Sequence, residues 1–256
     1  QAEMSERWAR TAEGREPSRT RIETRNGLTT VDAVLPDLDL IMLNLATGDR
    51  TLLARGAIRD IGLEVLRQAC ETLKQWSSTA HARHLRVAVN ISPVQVLDDA
   101  FVPSVAAVIA QAEVDPALIE LELTESALSH DAGMVIGKMK ALEALGLTWA
   151  LDDFGTGYSS LATLRTLPVR KLKIDRQFVV EAVSQENAQR LLGKILEISQ
   201  VMGMSALAEG VETTAQWELL VGLGCDHFQG YLFAPPMPKD ALEQWLAARV
   251  ASSLLD

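Results

Sequence analysis

The feature that most constrains this chain is an alternation of short apolar runs with longer stretches of helical period. Apolar or β-branched runs fall at 85–90, 118–123, 148–152, 172–174, 205–208 and 226–229. Between them the apolar residues recur at helical spacing: Leu66, Ala69, Cys70 and Leu73 make one stripe, and Val102, Val105, Ala106 and Ile109 a second. Leu192, Ile195, Leu196 and Met202 make a third, and Trp217, Leu220 and Val221 belong to a fourth. Strand–helix alternation sustained in this way implies a parallel sheet covered by helices. Some eight such units within 256 residues favour a closed (β/α)8 barrel over an open sheet.

The beginning of the chain departs from this rhythm. Residues 3–13 read as a helix, and runs at 21–24 and 28–34 flank Asn26 and Gly27, a strong hairpin signal. A barrel that opens with a hairpin has one strand antiparallel to the rest. Residues 35–60 read as a loop and a short helix ahead of a helix at 61–76. The whole, 1–256, is expected to form a single barrel domain, and the opening QAEMSERWAR suggests that it was cut from a longer protein.

Composition narrows the function. An apolar content of 48% supplies a large core without disulfides, and the two cysteines, Cys70 and Cys225, sit in apolar surroundings that argue against a shared bridge or a zinc site. A net charge of −10 argues against DNA or other nucleic-acid backbones as partners. It leaves room for a small anion wherever bound cations reverse the local sign. No run of eighteen apolar residues offers a membrane span, and a cytoplasmic location is expected.

The ends of the apolar runs carry the chemistry. Asn90 ends one, Glu122 and Glu125 lie on the next, and Asp152 and Asp153 end the third. Lys173 and Asp175, then Glu209, then Gln229 follow. In a β/α barrel the C-terminal strand ends converge on one face, so these groups become neighbours. A single Asp-Asp pair after a strand is more often a helix cap than a ligand; agreement across six strand ends is what carries the functional reading. Clustered carboxylates repel unless neutralised, and hard divalent cations with oxygen ligands do that. Histidine does not join the set, so Mg²⁺ or Mn²⁺ fits better than zinc. Such a ring suits phosphate-ester hydrolysis.

The same segments resemble a known family, the EAL domains, bacterial cyclic di-GMP phosphodiesterases. VNISPVQV and LELTESAL resemble two of its motifs, and ALDDFGTGYSSLATLRTLPVRKLKIDRQFV resembles its longest signature. ALAEGVET and LGCDHFQGYLFAPPMP resemble its last two, so the likeness covers about residues 61–247. It implies a TIM-like barrel with one reversed strand and hydrolysis of cyclic di-GMP to linear pGpG by two Mg²⁺ or Mn²⁺ ions. It further implies that Asn90, Glu122, Asp152 and Asp153 ligate metal, that Lys173 holds the attacking water and that Glu209 is a further essential acid. Glu125 would anchor the DDFGTGYSS loop, a possible lid that also shapes a dimer contact. Gln229 and Glu212 would line the ligand side. A homodimer, and an attached sensor, GGDEF-type domain or partner protein, are the implied company.

The naming motif is not intact. In the preferred placement TTVDAVLPD replaces it, with Asp32 at the glutamate position, Pro36 at the arginine position and Asp37 at the tryptophan position. In the alternative, AEMSERW supplies Glu3, Arg7 and Trp8, at the cost of a long insertion before residue 61. An aspartate at the first ligand position is one methylene short, a retreat of about 1 Å that weakens direct coordination. Loss of the arginine removes a bidentate grip on phosphate. Two outcomes therefore stay open: a phosphodiesterase with weakened activity, or an inactive domain that serves as a cyclic di-GMP receptor or protein-interaction module.

Overall fold

The computed structural model describes residues 19–25, 28–34, 52–79, 82–155 and 161–253. Six parallel strands form the body of the sheet: β3 (Val87–Ile91), β4 (Ile119–Thr124), β5 (Thr148–Phe154), β6 (Lys171–Ile174), β7 (Ser205–Ala208) and β8 (His227–Phe228). They add β1 (Arg19–Arg25) and β2 (Leu28–Val34) in the order β2-β1-β8-β7-β6-β5-β4-β3. β1 runs antiparallel to β2 along its length, Arg19 opposite Val34, and meets β8 at Thr24–Phe228. The two ends of this order, β2 and β3, lie side by side, and no hydrogen-bonded ladder joins them among the described residues. The architecture is the TIM-like α/β barrel expected from the sequence.

Alternation along each strand explains why the sheet rolls up. One face presents Val87, Val89 and Ile91, then Ile119, Leu121 and Leu123, Trp149 and Leu151, Leu172 and Ile174, Ala206 and Ala208, and Phe228, all buried. Helices cover that face. The principal ones are α1 (Leu52–Ser77), α3 (Phe101–Ala112), α4 (Leu128–Glu143), α6 (Arg176–Ser184), α7 (Glu186–Val201), α8 (Thr214–Gly222) and α9 (Lys239–Ser253), with short α2 (Pro93–Leu97) and α5 (Leu161–Leu164) between. The inward stripes are Leu66, Ala69, Cys70, Leu73 and Trp76 on α1, and Leu192, Ile195 and Leu196 on α7. Trp149 is fully buried and its indole N–H donates to the Met139 carbonyl of α4 at 3.1 Å, which ties β5 to its crossover helix.

The other strand face points into the barrel and carries charged groups among small and apolar residues such as Ala88, Ala150 and Leu207. It stacks two charged layers. The lower holds Lys171, whose ammonium meets the Glu120 carboxylate at 2.7 Å, and Arg86, 4.0 Å from the same carboxylate. Arg86 also donates to the Thr148 hydroxyl at 2.7 Å. The upper layer lies one pleat higher, about 7 Å along the strands.

One reading of the N-terminal third changes, and others lie outside the described residues. The helix expected at 61–76 begins at Leu52, so residues 52–60 belong to one 26-residue helix rather than to a loop and a separate short helix. The helix expected at 3–13, Asn26 and Gly27, and residues 35–51, including Pro36 and Asp37, lie outside the described residues. Among the described residues no helix is long and apolar enough to cross a membrane.

Candidate active site

The upper layer is built around Lys173. This lysine is fully buried, and its ammonium lies 2.8 Å from Glu122, 2.9 Å from Asp152 and 2.9 Å from Glu209. The three acids come from β4, β5 and the end of β7, so four strand ends meet at one nitrogen. Glu122 is 1% and Asp152 5% exposed. One cation among three carboxylates leaves an excess of negative charge in a region poor in water, which a further cation would relieve.

Oxygens of Asp152, Asp153 and Glu209 lie within 4.8 Å of one another. The backbone places them so. Asp153 takes a left-handed conformation, φ +54°, immediately after the buried part of β5, a state that costs a non-glycine residue energy and that functional sites retain. Its N–H donates to the Asp152 carboxylate at 3.0 Å. The next turn is held by Glu125, which is buried and accepts the Gly155 N–H at 3.1 Å. Phe178 covers the α-carbon of Gly155 so closely that a Cβ there would lie 2.5 Å from its ring. Residues 156–160, the rest of the expected lid, lie outside the described residues.

Asn90 stands opposite Glu122 in the β3–β4 register and is half-buried. Gln229 follows β8; its N–H donates to Ala208 and its carbonyl accepts from Val211. The Gln229 side-chain oxygen is buried and has no hydrogen-bond partner among the described residues. Glu212 is turned to Arg176, 3.0 Å away, and so stands beside the cluster rather than in it. Asp32 lies two residues before the end of β2, on the strand that runs beside β3; Glu3 lies outside the described residues.

The sequence reading missed Lys171, Glu120 and Arg176. Lys171 and Glu120 sit two residues before Lys173 and Glu122 and share their face, so the period of two that marks the strands also marks this second layer.

A β/α barrel with an acidic C-terminal rim set around one buried lysine defines the class. The chain belongs to the EAL family, whose domain model matches residues 29–236. It is 38% identical over 187 residues to the bifunctional diguanylate cyclase/cyclic di-GMP phosphodiesterase MucR of Pseudomonas aeruginosa, covering 73% of this chain and 27% of that protein. It is 38% identical over 195 residues to the cyclic di-GMP phosphodiesterase NbdA of the same organism, covering 76% of this chain and 25% of that protein. The chain thus spans about a quarter of the length of these relatives. A solved structure described as the PaMucR phosphodiesterase in complex with c-di-GMP superposes with a TM-score of 0.78 at 30% identity, covering 94% of this chain and 99% of that one.

Proposed function

We propose that this barrel binds cyclic di-GMP at its acidic rim and hydrolyses one phosphodiester bond to give linear pGpG. The observation that carries the reading is the gathering of Glu122, Asp152 and Glu209 on the Lys173 ammonium, with Asp153 joining Asp152 and Glu209 at the rim, in a chain of the EAL family. The donor set fits Mg²⁺ or Mn²⁺. It is all oxygen and it has surplus negative charge, and on the neighbouring strand end the buried Gln229 side-chain oxygen has no hydrogen-bond partner among the described residues. Asn90, Glu122 and Asp152 would hold one cation, with Asp32 as an added donor, and Asp153 with Glu209 a second. Such cations supply charge neutralisation at the phosphate and acidify water.

The side chains do the rest. Lys173 spends its three N–H donors on three acids here; with one of those acids given over to a cation, the freed N–H would orient a water for in-line attack and offset charge on the pentacoordinate phosphorus. Glu209, the most exposed of the three acids on Lys173, takes the proton from that water, and the P–O3′ bond opposite the attack breaks, the ribose 3′-oxygen leaving with a proton from solvent. Glu125 holds Gly155 and so fixes the backbone turn that presents Asp153, and Gln229 and Glu212 line the ligand side. Incubation with cyclic di-GMP and Mn²⁺, followed by chromatography, tests this: pGpG is expected from the parent and none from Asp152→Ala. No product from the parent at high protein concentration rules out hydrolysis.

The degenerate motif supports a second reading, a receptor that binds without turnover, because Asp32 is a shorter acid than the expected glutamate and Pro36 offers no guanidinium. Calorimetry separates the two: heat of cyclic di-GMP binding with no pGpG formed favours the receptor. In either reading we place one barrel domain over 1–256 in the cytoplasm, acting as a homodimer and within a longer protein bearing a sensor, GGDEF-type or partner-binding part.

A further inference from the structure

We propose that Arg176 is a positioning residue for Glu209, acting as a brace across the outside of the β6–β7 rim; its consequence for metal affinity rests on the function proposed above. Arg176 is the first residue of α6, directly after Asp175, whose carboxylate caps that helix by accepting the Gln177 N–H at 2.8 Å. Lys173 lies three residues earlier on the same segment. The Arg176 guanidinium crosses to the segment that follows β7 and meets both carboxylate oxygens of Glu212 at 3.0 Å. On the way its stem lies over Gly210: a Cβ at that position would sit 2.3 Å from the Arg176 Cγ and 2.7 Å from its Cβ and Cδ. Gly210 has φ +65°, so both its conformation and the close approach require glycine.

These contacts bracket Glu209. Its own N–H donates to Ile174 of β6 at 3.1 Å, the next residue is covered by the Arg176 stem, the one after donates to Gln229 at 3.0 Å, and Glu212 is held by the guanidinium. The inner pair Lys173–Glu209 and the outer pair Arg176–Glu212 therefore span the same two strand ends in parallel. The outer pair is half-exposed, and such pairs add little to global stability. Its effect is on where Glu209 points.

The test pairs structure with metal binding. The metal-free crystal structure of Arg176→Ala is expected to show the Glu209 carboxylate withdrawn from Lys173. Calorimetric titration with Mn²⁺ is expected to show affinity reduced about 10-fold in Arg176→Ala and Glu212→Gln, as for other residues that orient metal ligands, with no further loss in the double variant. Arg176→Lys, which keeps the stem and one charge, recovers most of it, and melting temperatures stay with the parent. A metal-free Arg176→Ala structure with Glu209 still against Lys173, or Mn²⁺ affinity equal to the parent's, overturns the assignment. A parent that takes up no Mn²⁺ defeats the metal reading of the site instead, and the crystal structure alone then decides the role of Arg176.

Discussion

The two charged layers inside the barrel use the same parts in opposite proportion. In the upper layer three carboxylates surround one lysine; in the lower, Lys171 and Arg86 approach one carboxylate, Glu120. Lys171 and Glu120 lie two residues before Lys173 and Glu122 on the same strands, and all four are buried, while Arg86 is partly exposed. The lower layer brings cations enough to balance its acid, and a balanced buried pair serves to fix register. The upper layer leaves acids in surplus at the C-terminal strand ends, so between the two layers the charge that a bound cation would neutralise lies there.

Removing the lysine from each layer is the sharpest way to break this comparison. Lys173→Met leaves Glu122, Asp152 and Glu209 together without their common cation, and uncompensated buried charge costs about 3–5 kcal/mol. Urea unfolding without metal should show that loss, and Mn²⁺ should recover part of it. Lys171→Met leaves Glu120 with Arg86 nearby, so a smaller loss of about 1–3 kcal/mol is expected, the same with and without Mn²⁺. The joint replacement Glu120→Leu with Lys171→Met should be neutral or stabilising, since an apolar pair of similar size avoids the desolvation cost. If that double variant proves as metal-sensitive as Lys173→Met, the division of labour between the layers is wrong.

Much of this barrel was legible in the sequence because its outward strand faces are so uniformly apolar. All six parallel strands were read from runs such as 118–123 and 148–152, and the rim residues from the polar group that ends each run. What was not legible has physical causes. The start of α1 at Leu52 was hidden by Gly56 and the charged residues around it, which read as a break. An interior glycine costs only about 1 kcal/mol against alanine, and a long helix absorbs it. The lower layer was missed because a lysine and a glutamate inside strands look like solvated residues until the barrel closes around them. Arg176 was missed because its partners, Gly210 and Glu212, come from another strand end.

A smaller effect is expected from Glu125, which serves the upper layer from behind. Glu125→Gln keeps an acceptor for the Gly155 N–H but removes its charge, so stability should fall by about 1 kcal/mol. Turnover of cyclic di-GMP should fall with it, because the turn at Asp153 is then held by a weaker, uncharged acceptor. Equal turnover in variant and parent would show that Phe178 alone holds Gly155.

The last effect concerns pH and the two buried thiols. Burial pushes the Cys225 thiol up to about 11, with a backbone hydrogen bond at His227 acting the other way. Burial likewise raises Cys70 on α1 to about 11, with the Glu71 charge adding to it. A thiol raised in the fold stays protonated while the unfolded chain ionises near its ordinary value of 9.0. Its contribution is therefore complete below pH 9 and is lost as pH rises toward 11, about 1 kcal/mol per thiol by pH 10. Urea midpoints measured between pH 8 and pH 10 should show this decline, and Cys70→Ala with Cys225→Ala should flatten it while lowering stability at pH 8. The upper layer holds no thiol, so Mn²⁺ should raise the whole curve without changing the part of the slope that the two cysteines contribute.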